Sequence, residues 1–428
     1  MSALSKLFIA AVVAMSSMAK ADDVPVQLAS LRIPVDSGFR FDDHFMGEES
    51  SNPERSIIDD FELETDGAPA SIYQRDSRTL RFRGDFRMRA EFEHQSALLV
   101  SGLLSDSAPG VLADLGRVTD GTVPLIILVN HDVELEEAQK QLATSLSNNR
   151  FLLVAHDTIW ARDFGPTIIT NRKERSLVVD AAYDAGRAND DAVPSEIARL
   201  SRTATRRTRI VIPGGNLLTN GQGLCITTTR LQLENPGRSQ REIADGISDT
   251  FGANTVAILE PLAGEITGHV DMFATFTDPH TVVVGEYPRH RDPENSAILD
   301  RNAEKLASIR VGNKRLRVMR IPMPARPEGE WPTFTNVVYA NGKLLVPSYE
   351  STTPEQKNYI ESFYISLLPG WEVHFVCADD LISSGGALHC VVSNLGSIQV
   401  DAGIAKRPPR IRATVPQAQV QVRRLAGW

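Results

Sequence analysis

Cysteine is scarce in these 428 residues, with only Cys225, Cys377 and Cys390 present. Three cysteines cannot all pair within one chain, so at least one thiol is free and a dense disulfide scaffold is excluded. A Cys225 to Cys377 bridge stays open, because sequence does not give their separation in space. Positive charge is in deficit: 45 Lys and Arg against 54 Asp and Glu leave a net charge of −9. That balance argues against a protein whose main business is gripping phosphate backbones, so nucleic acid is not an expected partner. Beyond the N-terminus no run approaches the roughly 18 to 20 apolar residues of a membrane span. At 42% hydrophobic and 23% charged, disorder, collagen and coiled coil are excluded as global readings.

The long apolar run that does exist is N-terminal. Lys6, the stretch Leu7 to Met15 and the small-x-small site Ala19-Lys20-Ala21 read as a signal peptide over residues 1–21, so a periplasmic or secreted protein is expected. Residues 22–80 carry 14 acidic and 5 basic side chains, an acidic N-terminal extension. Residues 402–428 carry 6 basic and no acidic ones, a basic, Pro-containing tail. Residues 81–401 form the main domain.

Within that domain, helix signals alternate with strand signals. Helices are expected from Val133 to Leu146 behind Asp132 as N-cap, from Pro194 to Leu200, after Ser239 to the stop at Gly252, from about Asn295, and from Thr353-Pro354 to Gly370. Each leads into an apolar strand: Phe151 to Val154, Arg209 to Ile212, Thr255 to Leu259, Leu316 to Ile321 and Trp371 to Val376. Five helix-then-strand units at this spacing indicate a repeat architecture, most simply a five-module α/β ring. After the five strands stand HDTIWARDFGP, PGGNLLTNGQG, AGEITGHVD, PEGEWPTFTN and SSGGALHC. Polar and Gly-rich residues at one end of every unit would meet at one cleft.

Those segments hold the chemistry. Cys390 follows Gly385-Gly386 on an apolar stretch read as a strand, and is either a small buried hydrophobe or a nucleophile. As a nucleophile it needs a thiolate, hence a cationic neighbour. His269 and Asp271, two apart, would share one face of an extended strand, with His269 as that cation. Asp163 is either an ion-pair partner of Arg162 or a two-oxygen acceptor for a planar guanidinium. Two carboxylates, one His and one Cys suit attack on the carbon of a charged amidine, with the His protonating the departing amine and then activating water.

FRMRAEFE (Phe86 to Glu93), WARDFGP, GGN at Gly214 to Asn216, GHVDMF, TNVVYANG and GGALHC occur in this order. Together they resemble the pentein superfamily of guanidino-group-modifying enzymes, in the branch of agmatine deiminases and secreted bacterial peptidylarginine deiminases. The resemblance implies a five-bladed α/β propeller and a hydrolase acting on linear amidines. It implies Cys390 as nucleophile, His269 as acid/base, Asp163 and Asp271 as guanidinium clamps and Asn336 as a polar support near the thiol. Trp160, Arg187, Gly214, Gly215 and Asn216 are the substrate-binding candidates. Two departures bear on substrate: Pro213 and Asn220 stand where agmatine deiminases look like Glu and Asp. Of two arginines that secreted peptidylarginine deiminases use for a substrate carboxylate only Arg187 is present, Ala185 replacing the other.

The leading expectation is an exported deiminase converting peptidyl-arginine to peptidyl-citrulline and ammonia through a Cys390 thiouronium. The alternatives are an agmatine deiminase and a non-catalytic ligand-binding propeller. His269, Asp271, His389 and Cys390 are residue types that bind zinc, but no pair has Cys-x-x-Cys or His-x-x-x-His spacing, so neither metal nor other cofactor is expected.

Overall fold

The Ser239 capping signal sets the pattern for the helices. In the computed structural model, which describes residues 70–75, 86–143, 145, 149–183, 186–326 and 329–400, the Ser239 side chain accepts from the Glu242 N–H while the Glu242 carboxylate accepts from the Ser239 N–H. This satisfies two of the donors that a helix start leaves orphaned. The helix Gln240–Phe251 ends on Gly252 at φ 80, the left-handed cap that favours glycine. Its face of Ile243, Ile247 and Phe251 is fully buried, each side chain contributing about 1.5 to 3 kcal/mol of burial. Thr353 and Gln356 make the same box ahead of Pro354–Leu367.

Five sheets repeat one plan. In each, two parallel strands are joined by a crossover that carries one long helix, and a short antiparallel strand lies beside the first of them. The parallel pairs are Leu98–Ser101 with Leu125–Val129, Ser176–Ala182 with Thr205–Val211, Leu224–Thr228 with Thr255–Leu259, Thr281–Glu286 with Arg317–Pro322, and Lys343–Ser348 with Glu372–Cys377. The crossover helices are Pro109–Thr119, Ala188–Leu200, Gln240–Phe251, Pro293–Ala307 and Pro354–Leu367. Leu125–Val129, Leu224–Thr228 and Thr255–Leu259 are buried at every position, as parallel strands covered on both faces must be. The first sheet takes its antiparallel strand from the far end of the chain: Ser393 lies opposite Leu99 and Asn394 opposite Leu98.

Several expectations need correction. The first unit crosses over through Pro109–Thr119, which the sequence reading passed by. The helix assigned to it runs Asp132–Gln141 and feeds an added outer strand, Arg150–Leu153. Its N-cap is His131, whose Nδ1 accepts from the Glu134 N–H; Asp132 is already helical. The second crossover starts at Ala188, not Pro194, because Asp157 from a distant loop accepts from the N–H groups of Asn189 and Asp190, a cap no local pattern reveals. Ser71–Gln74, counted with the acidic extension, pairs antiparallel with Thr255–Leu259 as an edge strand. The three cysteines are free: Cys225 is buried, its thiol pushed up to about 12 by burial, and Cys377 is exposed. The signal peptide, most of the acidic extension and the basic tail lie outside the described residues.

Replacing Ser239 by Ala should cost about 1 kcal/mol of stability, the usual worth of such a cap. A urea unfolding curve with an unmoved midpoint would show that the box contributes nothing here.

Candidate active site

The chemistry sits where each sheet begins. Just ahead of the antiparallel strand of every unit the chain makes a short turn: Ala161–Phe164, Gly214–Asn216, Val270–Met272, the stretch 333–336, and His389–Val391. These turns carry Asp163, Gly215, Asp271, Asn336 and Cys390. The expected extended strands under His269, Asp271 and Cys390 are therefore not found. His269 caps a 3-10 turn that follows Gly268 at φ 66, and Cys390 lies inside another. Such turns aim a side chain across the cleft without committing its backbone to a sheet ladder.

Cys390, His269 and Asp271 are buried, 4%, 6% and 1% exposed. The Cys390 Sγ stands 3.9 Å from Asp271 Oδ2 and 3.6 Å from Asn336 Nδ2. Asn336 ties two turns together: its Nδ2 donates to the Asp271 carbonyl and its Oδ1 accepts the His389 N–H at 2.7 Å. Asp163 Oδ1 accepts from the Gly215 N–H at 3.0 Å and lies 3.5 Å from His269 Nδ1. Arg162 is not its partner. Arg162 donates to Glu91 at 2.8 Å and to Asn394 at 2.7 Å, leaving Asp163 to face the cleft.

Gly215 is glycine for a steric reason: a Cβ there would come 2.7 Å from Asp163 Oδ1, 2.8 Å from His269 Nδ1 and 3.1 Å from Asp271 Oδ2. The space among those atoms belongs to whatever the site binds. Gly386 likewise gives way to the Trp160 ring, which a Cβ would meet at 2.5 Å. Gly214 packs on the Arg162 carbonyl. Asn216 does not face the cleft; its Oδ1 accepts from Thr228 and from the Val270 N–H, bracing one turn against another. Arg187 sits at the head of Ala188–Leu200 and donates to the Tyr183 hydroxyl at 3.2 Å. The Asp163 charge acts on Tyr183 in turn, adding to the burial that raises its phenol. Position 185 is outside the described residues.

Electrostatics correct the expected activation of the thiol. Burial, then the charges of Asp271 and Asp163, push Cys390 well above its ordinary value, so these surroundings by themselves keep the thiol neutral. Burial alone would lower His269, but Asp163, Asp271, Glu234 and Glu265 together hold it above its ordinary value. Burial also raises Asp163, and raises Glu234 to about 7.

Glu91, His389, Glu234 and Glu265 were not singled out as site residues from the sequence. Glu91 lay within the quoted FRMRAEFE, and His389 was weighed only as a metal ligand. The available signal was the density of titratable residues in those motifs.

A profile of the Porphyromonas-type peptidyl-arginine deiminases matches residues 87–395. The chain belongs to that family. It is thus a hydrolase of the pentein superfamily acting on guanidino groups. A Streptomyces coelicolor protein named "Putative agmatine deiminase" is 29% identical over 55% of this chain and 75% of its own. Two solved structures share the fold. An agmatine deiminase of C. jejuni, 21% identical, has a TM-score of 0.64 over 75% of this chain and 100% of its own. A "putative peptidyl-arginine deiminase", 24% identical, has 0.64 over 73% and 99%.

Gly215→Ala should leave the deiminase folded yet lower kcat/KM by roughly 100-fold, the scale of a displacement near 1 Å among reacting groups. Unchanged kinetics in a variant with wild-type unfolding would mean that the cleft lies elsewhere.

Proposed function

We propose that this deiminase hydrolyses agmatine to N-carbamoylputrescine and ammonia through a covalent thiouronium on Cys390. One observation carries the reading. Asp271 Oδ1 is buried and receives no hydrogen bond from any described residue, beside a thiol and across from a second carboxylate. A buried carboxylate oxygen without a donor is costly, and a planar cation with several N–H groups supplies what it lacks.

The substrate then does what no side chain does. A guanidinium bound between Asp163 and Asp271 offsets the two charges that keep Cys390 protonated, so binding itself lowers the thiol toward ionisation. The Cys390 proton passes to solvent water, and the thiolate adds to the guanidinium carbon. His269 gives its proton to the departing nitrogen, ammonia leaves, and the thiouronium remains on Cys390. The now neutral His269 takes a proton from water, the hydroxide adds to the same carbon, and the carbon–sulfur bond breaks to release the ureido product.

Agmatine is placed ahead of peptidyl-arginine, reversing the order of the sequence expectation, on two grounds. The reacting groups are nearly closed off, which favours a slender substrate, and the relative from Streptomyces coelicolor bears an agmatine deiminase name. Peptidyl-arginine remains the second reading on one specific observation, the Tyr183–Arg187 pair beside Asp163, where a substrate carboxylate would find a cation. Trp160, packed on Gly386 over Cys390, is proposed to wall the substrate chain. The reading extends to two features that rest on less: closure of the five units into a five-bladed propeller, supported by the pairing of Ser393–Asn394 with Leu98–Ser101, and export, supported by the sequence of residues 1–21 alone.

Cys390→Ser should bind agmatine without turnover, because a hydroxyl stays protonated where the thiol ionises; substantial ammonia release by that variant would remove the covalent route. Ammonia assays with agmatine and with peptides ending in arginine decide the substrate. A clear advantage for the peptide, lost on Arg187→Ala, would replace the agmatine reading. Activity should also fall on the alkaline side as His269 loses its proton, at a pH above its ordinary 6.5.

A further inference from the structure

Behind Asp271 lies a line of charges that the chemistry above does not use. His389 Nδ1 is 2.7 Å from Asp271 Oδ2, and His389 Nε2 is 2.8 and 3.0 Å from the two oxygens of Glu91. Glu91 in turn accepts from Arg162. All lie in the interior, with the His389 side chain 3% exposed.

We propose that His389 is a positioning residue held as an imidazolium, whose charge on Asp271 sets the balance under which Cys390 ionises. The inference rests on the deiminase reading above.

The hydrogen bonding fits it. A carboxylate oxygen only accepts, and a neutral imidazole has one N–H, so two carboxylates facing the two ring nitrogens at under 3 Å need a proton on each. Arg162 and His389 hold Glu91 at about 2 against the effect of its burial, so Glu91 is ionised and does not supply that proton. Burial and Arg162 oppose the charge on His389, while Glu91 and the bond to Asp271 favour it and prevail.

The consequence reaches the thiol through Asp271. Asp271 and Asp163 face Cys390 and disfavour its thiolate, and the Tyr349 hydroxyl also faces it. Glu234 and Glu265 face His269 from outside this set. Arg162 with Glu91, His389 with Asp271, and His269 with Asp163 form three neutral pairs. Adding the substrate cation then leaves one positive charge, which the thiolate matches. Remove the charge on His389 and the substrate cation is spent on Asp271 instead, leaving the thiol protonated.

His389 thus has a kinetic signature that a packing role lacks. His389→Gln keeps hydrogen-bonding capacity but loses the charge. It should lower kcat for agmatine by roughly 100-fold and move the acid limb of kcat upward by about one pH unit. KM should stay level or fall, since the site has become more attractive to a cation. A raised KM with near-normal kcat, or an unmoved acid limb, would overturn the proposal. The same limb should appear in alkylation of Cys390 by 2-chloroacetamidine, a planar cation with its own electrophilic carbon. That readout stands even if agmatine proves the wrong substrate. Should His389→Gln fail to fold, nitrogen NMR of the wild-type His389 ring decides: both nitrogens protonated at pH 7 supports the proposal, and a neutral tautomer sinks it.

Discussion

Six ionisable side chains meet at the centre of this protein with almost no access to water: Arg162, Glu91, His389, Asp271, Asp163 and His269. The cost of burying any one alone is several kcal/mol, and it is tolerable only because each faces an opposite charge, Arg162, Glu91, His389 and Asp271 through hydrogen bonds and His269 with Asp163 at 3.5 Å. Such an arrangement is weak as a source of stability but demanding as a constraint, since removing one member strands its partner. The rest of the architecture is what brings the six together. Glu91 enters from the N-terminal side of the domain, His389 from its C-terminal end, and Asn394 ties Arg162 to the strand that pairs with Leu98–Ser101. The same contacts that complete the first sheet therefore complete the charge network.

This constraint also explains why the nucleophile rests neutral. In the proposed mechanism the carboxylates that hold a guanidinium, Asp271 and Asp163, are the same charges that disfavour the Cys390 thiolate. On that reading activation is tied to occupancy, because a ligand bringing positive charge to Asp163 and Asp271 relieves the penalty on Cys390. A neutral molecule of similar shape brings an N–H to Asp271 Oδ1 but no charge to ionise the thiol, so on that reading charge is what couples binding to activation.

Much of this was legible in the sequence because it is local. Capping at Ser239, the stop at Gly252 and the apolar faces of Gln240–Phe251 and Pro354–Leu367 are written in adjacent residues, and five helix-then-strand units at regular spacing pointed to a repeat. What escaped depended on distant partners. Asp157 caps a helix some thirty residues away in the chain, so Pro194 was misread as its start. Arg162 and Asp163 are neighbours in sequence, yet the arginine turns to Glu91 and the aspartate to Gly215. The short motifs brought Asp163, His269, Asp271 and Cys390 into consideration, but not that Asp271 would be shared between substrate and His389. Extended backbone was expected under His269 and Cys390 because apolar flanks suggest strands. The turns there follow from Gly268 and from the need to present side chains inward.

The repeat gives the site its logic. Each unit offers one turn just ahead of its first strand, so the fold supplies five equivalent places from which a side chain can reach the centre. Cys390, Asp271, Asp163 and Asn336 occupy four. The fifth holds Gly215, whose N–H orients Asp163 and whose missing side chain leaves the volume bounded by Asp163, His269 and Asp271. Four positions carry side chains and one is bare, which in the proposed mechanism leaves the space bounded by Asp163, His269 and Asp271 for one planar group. The identity of that group follows from the charges that line the space, whereas its attachment, an amine-ended chain or a peptide, is decided farther out, where Trp160 packs on Gly386 and Arg187 meets Tyr183.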